Sequence, residues 1–429
     1  MLKVAVGCRG SLFWMGAVSR GSLVAFALVA ELTRAAVLRA SHHVALWIGD
    51  AEHDVRNFGA IGDGKADDTA AIQRALNECK NTSGGVVLLP APGRYLIFGL
   101  AFVASGTELR IQSGATLLVS NDRESWSRLG KKHILTAGGL TDLAITGGGL
   151  VDGQGLIWWQ HRNDFRPRTV SWRYVTRALI HNITFKDPPD HCLELGASWA
   201  EISHTTVHAP ASKGLPPNLK SHNTDAVDVH GPYMYIHDVV FDTGDDNVAV
   251  HNNHTVVERS YFGSGHGASI GSLCNSWITN FTVRDVVFNG TSGGVKIKTH
   301  ARCDGRVWNV VWANLTMYNV DNPVSISMNY GSAGKLERTK MSIEDILLAD
   351  IVSTGHTHDG MFDCDPDSPC RNITLERVKL VQDDDRWRPC TRYPSGPADC
   401  CAHVSGTVHD VYPQGLKECF DDSFGSVVI

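Results

Sequence analysis

No Cys-x-x-Cys pair occurs among the 11 cysteines of this 429-residue chain. Zinc ribbons and thioredoxin-like redox sites, which are built on such pairs, are therefore excluded. No apolar run approaches the ~20 residues that a membrane-spanning helix needs. Positive charge is scarce: 39 Lys and Arg against 45 Asp and Glu leave a net charge of −6, so no basic field supports general nucleic-acid binding. Charged residues make up only 20% of the chain while hydrophobic residues reach 43%, a balance that excludes a disordered polymer and is ample for a core. Helical patterns are also few. The segment Asp67–Cys79 carries one, with Ile72, Ala75, Leu76 and Cys79 on a single face and Asp68 or Thr69 expected as its cap.

What is present is glycine, 42 residues of it, and many short β-type runs. Six cysteines crowd the last stretch (Cys364, Cys370, Cys390, Cys400, Cys401 and Cys419) and point to disulfides formed in an oxidising compartment. Asn-x-Ser/Thr acceptors at Asn81, Asn182, Asn253, Asn280, Asn289, Asn314 and Asn372 agree with secretion. Near the N-terminus, Gly21–Ala30 is an apolar core of signal-peptide length, preceded by Arg9 and Arg20 and followed by Ala35 and Ala36. The expected division is a leader and linker over 1–49, a main domain over 50–380, and a Cys-rich tail over 381–429.

The β-type runs repeat. Aligned on Phe185, Val207, Phe241, Phe262, Phe288 and Met317, they recur at intervals of 22, 34, 21, 26 and 29 residues. A second column lies two residues earlier: Ile183, Thr205, Val239, Ser260, Val286 and Leu315. A third lies five residues earlier: Ile180, Ile202, Ile236, Val257, Val283 and Trp312. The first two columns share a strand face at period 2, and the third lies across a bend. A strand pattern with this period predicts stacked coils, a parallel solenoid in which each coil covers its neighbour's apolar face and loops enter at corners. An antiparallel sandwich fits less well, because Asn-Gly and Asp-Gly hairpin turns are rare between the runs. The helix over 69–79 would cover the open first coil.

Three short motifs fall in consecutive coils: Asn223-Thr224-Asp225, Gly244-Asp245-Asp246 and Gly265-His266-Gly267. Asp225 to Asp246 and Asp245 to His266 are both 21 residues. A 21-residue coil stacks Asp225 under Asp246 and Asp245 under His266, about 4.8 Å apart. Like charges that close raise a carboxyl pKa, which a structural face avoids and an acid/base site requires. Cleaving a glycosidic bond needs one protonated and one ionised carboxyl. A calcium site would have no use for His266. In the next coil, Lys296 and Lys298 point the same way at i and i+2, which suits a carboxylated sugar.

At these residues the chain resembles the polygalacturonases, glycoside hydrolases that cut pectin. The likeness runs from about Asp54 to Leu380. It opens on Asp54-Val-Arg-Asn-Phe-Gly-Ala-Ile-Gly-Asp-Gly-Lys-Ala-Asp-Asp-Thr69, continues through Gly147-Gly-Gly-Leu-Val-Asp-Gly-Gln-Gly-Leu-Ile-Trp-Trp159, and is most specific at the ordered trio. The resemblance implies an all-β fold, a right-handed parallel β-helix with an N-terminal capping helix. It implies inverting hydrolysis of α-1,4-galacturonosyl bonds, with Asp245 as general acid, Asp225 and Asp246 activating water, and His266 supporting the acid. Asn223, Lys296, Lys298 and Tyr330 would bind substrate. The expectations that go with it are no cofactor and no metal, a pectic polysaccharide as partner, no nucleic acid, no membrane once the leader is gone, a monomer, and secretion.

The chain departs from the family at several points. Lys stands at 296 where the family has Arg, which keeps the charge and loses the bidentate fork. Asn247 stands where fungal and plant members have Cys, and the matching Cys before Gly265 is absent too. The insert Ser212–His222 is long enough to wall one end of a cleft, as in exo-acting relatives. The alternatives are a rhamnogalacturonan or exo-acting uronan hydrolase, a pectate lyase, and a non-catalytic β-helix for binding or adhesion.

Overall fold

The structure is a computed structural model. It describes residues 46–421 except 131, 162, 210–215, 217–218, 332–337, 359 and 382–400. The expected leader, most of the insert at 212–222, Cys8, Cys390 and Cys400 lie outside the described residues.

All the strand pairings of the named ladders are parallel, each strand pairing with those of the coil before and the coil after. That connectivity is a parallel β-helix, right-handed as parallel crossovers almost always are. The apolar columns of the sequence are its interior stacks. Phe185 pairs with Val207, Val207 with Phe241, Phe241 with Phe262, Phe262 with Phe288 and Phe288 with Met317. The third column pairs equally, from Ile180 and Ile202 through Ile236, Val257 and Val283 to Trp312. Both columns are buried in one continuous core. Deleting one such aromatic ring costs about 3–5 kcal/mol through lost transfer and a residual cavity.

The expected bend has a backbone cause. Asn182, His204, Asp238, Arg259, Asp285 and Asn314, each three residues before the first column, have φ between 48° and 56°. Asn, Asp and His tolerate that left-handed corner best. A second corner carries Asn280 and Asn372, again at positive φ, with Asn372 donating to Asp345. Asn182, Asn280, Asn314 and Asn372 are thus corner asparagines followed two residues on by a strand Thr. Their Asn-x-Thr pattern has a structural origin independent of any glycan.

The helix Thr69–Glu78 buries Ala71, Ile72, Ala75 and Leu76 against the first coils, and Cys79 is buried beside them. Its capping differs from expectation. The Asp68 carboxylate accepts from the N–H groups of Ile61 and Gly62 instead, and Thr69 Oγ1 accepts from the N–H of Phe98. Both side chains tie the preceding loop and a neighbouring strand to the helix, which leaves neither for its first turn.

At the other end, Cys401–Ala402 and Val404–Tyr412 pair with Met361–Asp363 and Cys370–Val381. The stack therefore runs past the boundary expected at 380, because the tail supplies another layer of strands over an otherwise open edge. Disulfides join Cys274 to Cys303, Cys364 to Cys370 and Cys401 to Cys419, while Cys79 and Cys192 are free and buried.

Candidate active site

One sheet of the solenoid carries Lys296 and Lys298 and, at the corners entering it, Asp225, Asp245, Asp246 and His266. Its strands Leu193–Ser203, Val227–Val229, Val248–Val250, Ala268–Leu273 and Gly293–Thr299 pair in that order. Residues such as Val227, Val229, Val295 and Ile297 point into the core. The alternate register row, Ser171–Glu194–Asp228–Ala249–Ser269–Lys296–Ser325, faces outward.

Two residues before each strand, at the corner entering the sheet, the same register continues as a column: His191, Asp225, Asp246 and His266. The 21-residue step from Asp225 to Asp246 is as expected. The next strand pairing, Val248 with Ala268, is a step of 20, so His266 stacks over Asp246 rather than Asp245. The Gly-His-Gly turn takes up the difference: the His266 N–H reaches Asp245 O at 2.9 Å, and the imidazole Nδ1 still lies 2.9 Å from Asp245 Oδ1. Gly267 turns there at φ 82°, where a Cβ would press to 2.1 Å from Gly293 O. Gly244 is needed for a similar reason, since a Cβ would meet Ser221 O at 2.0 Å. Its N–H bonds to Thr224 Oγ1 at 2.9 Å, so Thr224 staples the first acidic motif to the second.

Asn247 acts as the staple on the other side. Fully buried, it donates its amide toward the carbonyls of Phe241, Gly263 and Ser264 and accepts from the Gly267 N–H. It thereby ties the His266 turn to the acidic motif at the place where the family resemblance calls for a disulfide. Asn247→Ala is expected to lower unfolding free energy in urea by at least ~1–3 kcal/mol, since buried backbone groups lose their partners. A change under ~0.5 kcal/mol would mean that the turn is held by other contacts.

The electrostatics separate the carboxyls. Asp225 is 6% exposed and its Oδ1 has no hydrogen-bond partner. Burial, then Asp228 and Asp245, push its carboxyl well above the usual range, and His191 acts in the opposite sense. Burial also acts to raise Asp245, but the His266 hydrogen bond and charge, the Asp246 N–H and Lys298 outweigh it and hold this carboxyl low. Asp246 is 3% exposed and receives Lys298 Nζ at 2.5 Å, Ser269 Oγ at 3.0 Å and Lys296 Nζ at 3.8 Å. Lys296 and Lys298 are only 9% and 6% exposed, so they are not a solvated lysine pair. Tyr330 lies with its ring 5.4 Å from Lys298 Nζ. Asn223 is exposed, sits at φ 51° and has its Oδ1 held by Arg166 at 3.1 Å.

Several residues at the site were not singled out from the sequence. Arg166 is 6% exposed, donates to the carbonyls of Pro189 and His222, and pairs with Asp190 at 3.4 Å. His191 lies 2.6 Å from Asp228 Oδ2 and 3.7 Å from Asp225 Oδ1. A signal for His191 existed. The coil between Val207 and Phe241 is 34 residues long, and stepping back 34 from Asp225 lands on residue 191. His230 and His251 stack at 4.9 Å, and His251 is drawn down to about 4 by burial, then by His230 and Lys298. Beside them opens a cavity of about 650 Å³ lined by Arg173, Tyr174, Glu194, Gly196, His230 and Asn252, among others.

Two groups bring metal-ligand atoms within 4.8 Å of one another: His191, Asp225 and Asp228, and Asp245, Asp246 and His266. In each, protein cations already answer the carboxylates, through His191 on Asp228 and Lys298 on Asp246.

The family model of glycosyl hydrolases family 28 matches residues 79–401. The chain is similar to a "probable polygalacturonase" of Arabidopsis thaliana, 30% identical over 349 residues that cover 76% of this chain and 77% of that protein. Among solved structures it is similar in fold to an exopolygalacturonase from Thermotoga maritima, with TM-score 0.72, 18% identity, and 89% and 93% of the two chains covered. A polygalacturonase from Erwinia carotovora gives TM-score 0.63 and 24% identity over 79% of this chain and 94% of that one.

Proposed function

Because this chain belongs to glycosyl hydrolases family 28, we propose that it cleaves α-1,4-galacturonosyl bonds of de-esterified pectin, with Asp225, Asp245, Asp246 and His266 as its catalytic residues. It is a pectin-degrading glycoside hydrolase. The observation that carries the residue assignment is the column of His191, Asp225, Asp246 and His266, with Asp245 bonded to His266 and two buried lysines on Asp246.

Asp245 and His266 share a proton along their 2.9 Å contact, and a proton on the imidazole passes to the carboxyl as the leaving oxygen reaches it. At rest the Asp245 carboxyl is held low, against its burial, by the His266 contact. Asp225, made more basic by its surroundings, and Asp246 accept the proton of a water attacking the anomeric carbon. The bond from that carbon to the leaving oxygen breaks, and its electron pair is protonated from Asp245. Lys296 and Tyr330 take the galacturonate beside the bond, Lys298 lies next to them on Asp246, and Asn223 contacts the sugar from the opposite corner. The polymer continues along the outward row toward the cavity of Arg173 and His230. The reading also takes the protein to be secreted and monomeric. The disulfides agree with secretion. Among the described residues no helix is long and apolar enough to cross a membrane.

A reducing-sugar assay on polygalacturonate with a chelator present tests this. New reducing ends without an ultraviolet-absorbing product are expected. A requirement for added calcium, or an unsaturated product, would point to a lyase, and no product at all would remove the assignment.

A further inference from the structure

The half of the site below Asp225 has no part in the hydrolysis just described. Asp225 is buried, and its Oδ1 lacks a hydrogen bond. Facing it are Asp228 from its own strand, Asp245 and Asp246 from the next coil, and His191 from the preceding one. Lys298 and Lys296 are engaged with Asp246, and Arg166 pairs with Asp190 while its charge also reaches Asp245 and Asp225. Arg168, one step further down the same column, pairs with Glu194. The side chain of a cationic type aimed at Asp225 itself is His191, 3.7 Å from its Oδ1 and in direct register beneath it.

His191 is held there. Its Nδ1 lies 2.6 Å from Asp228 Oδ2, its Nε2 lies 3.5 Å from Asp190 Oδ1, and its backbone N–H bonds the Asp190 carboxylate. The Cys192 N–H bonds Asp225 O at 2.8 Å, which fixes the spacing between the two coils at this point. Burial acts against a charged ring. The Asp228 bond and the charges of Asp225, Asp228 and Asp190 outweigh it and raise the imidazole to about 9.

We propose that His191, braced by Asp228, is the positioning residue that favours the charged form of Asp225 and aims its carboxylate at the attacking water. This rests on the reading of Asp225 as a water-activating group. A buried carboxylate beside two others would otherwise hold its proton and lose its use as a base. An imidazolium directly below acts against that tendency without covering the carboxylate's upper side, where Asp246 and the substrate lie.

Two measurements test it. His191→Asn keeps an N–H for Asp228 and cannot carry charge. The acid limb of the kcat–pH profile on polygalacturonate is expected to move up by ~1–3 pH units, the effect of losing an opposite charge at this range, with KM little changed. A uniform loss of rate with the limb unmoved would reduce His191 to a packing residue and overturn the proposal. The second measurement needs no substrate. In protein labelled at histidine Cε1, the His191 resonance, assigned by its loss in His191→Asn or His191→Gln, is expected to titrate near 9. A midpoint in the ordinary imidazole range of ~6.5 would also overturn the proposal. A wild-type protein inactive on polygalacturonate would count against the substrate reading alone, and the titration would still decide the role of His191.

Discussion

Asp245→Asn is expected to lower the rate on polygalacturonate by at least the ~10²–10⁴ that loss of a general acid–base group brings. The amide keeps the shape of the side chain and its contact with His266 Nδ1, 2.9 Å away in the wild type, but it has no proton to deliver to the leaving oxygen. The fold should survive, because the change also removes one charge from a crowded group: Asp225, Asp245 and Asp246 act on one another through low-dielectric surroundings. Steady-state rates and a urea melt on the same preparation check both halves. A folded variant with near-normal kcat would move the acid role to another group, with Asp225, whose carboxyl is held high, the first to test.

The second large effect is expected at Lys298, and the structure changes its form. Taken from the sequence alone, Lys296 and Lys298 are twin grips for a sugar carboxylate. On that basis Lys298→Met would impair action on polygalacturonate far more than on methyl-esterified pectin. In the fold, Lys298 Nζ lies 2.5 Å from Asp246 Oδ2, and burial does not stop the Asp246 charge from raising its pKa. Removing it leaves a buried carboxylate short of its main cation, which is costly whichever substrate is bound. Lys298→Met should therefore slow both reactions, by ~10- to 100-fold for one charge-assisted contact of ~1.5–3 kcal/mol. Lys296 is 3.8 Å from Asp246, and the substitution that separates the substrates is Lys296→Met, with a loss on polygalacturonate and little on the ester. Equal losses on both polymers for Lys296→Met would assign both lysines to the acidic cluster and leave carboxylate recognition to other residues.

The sequence by itself determined the stack and most of the residues that cluster at its candidate site. Each apolar column could be read because a parallel solenoid repeats its strand at nearly the same phase, so Phe185 through Met317 pair as aligned. The acidic trio could be read because its coils carry no insertion, and counting along the chain then equals counting up the stack. Where the step departs from that count, only the tertiary structure decided. The 20-residue step places His266 over Asp246, and the turn around Gly265 and Gly267 returns its ring to Asp245. The 34-residue interval that leads back from Asp225 to His191 is present in the sequence, but their 3.7 Å approach appears only in the fold. Asp68 does not cap the helix with its side chain because its carboxylate accepts from two N–H groups of the preceding loop. Asn247 became a fastening because its buried amide meets three carbonyls and an N–H contributed by separate turns. A linear sequence records periodicity, which is set by the backbone and repeats. It does not record which side chains from unequal coils share one buried volume, and in a buried volume those neighbours set each group's charge.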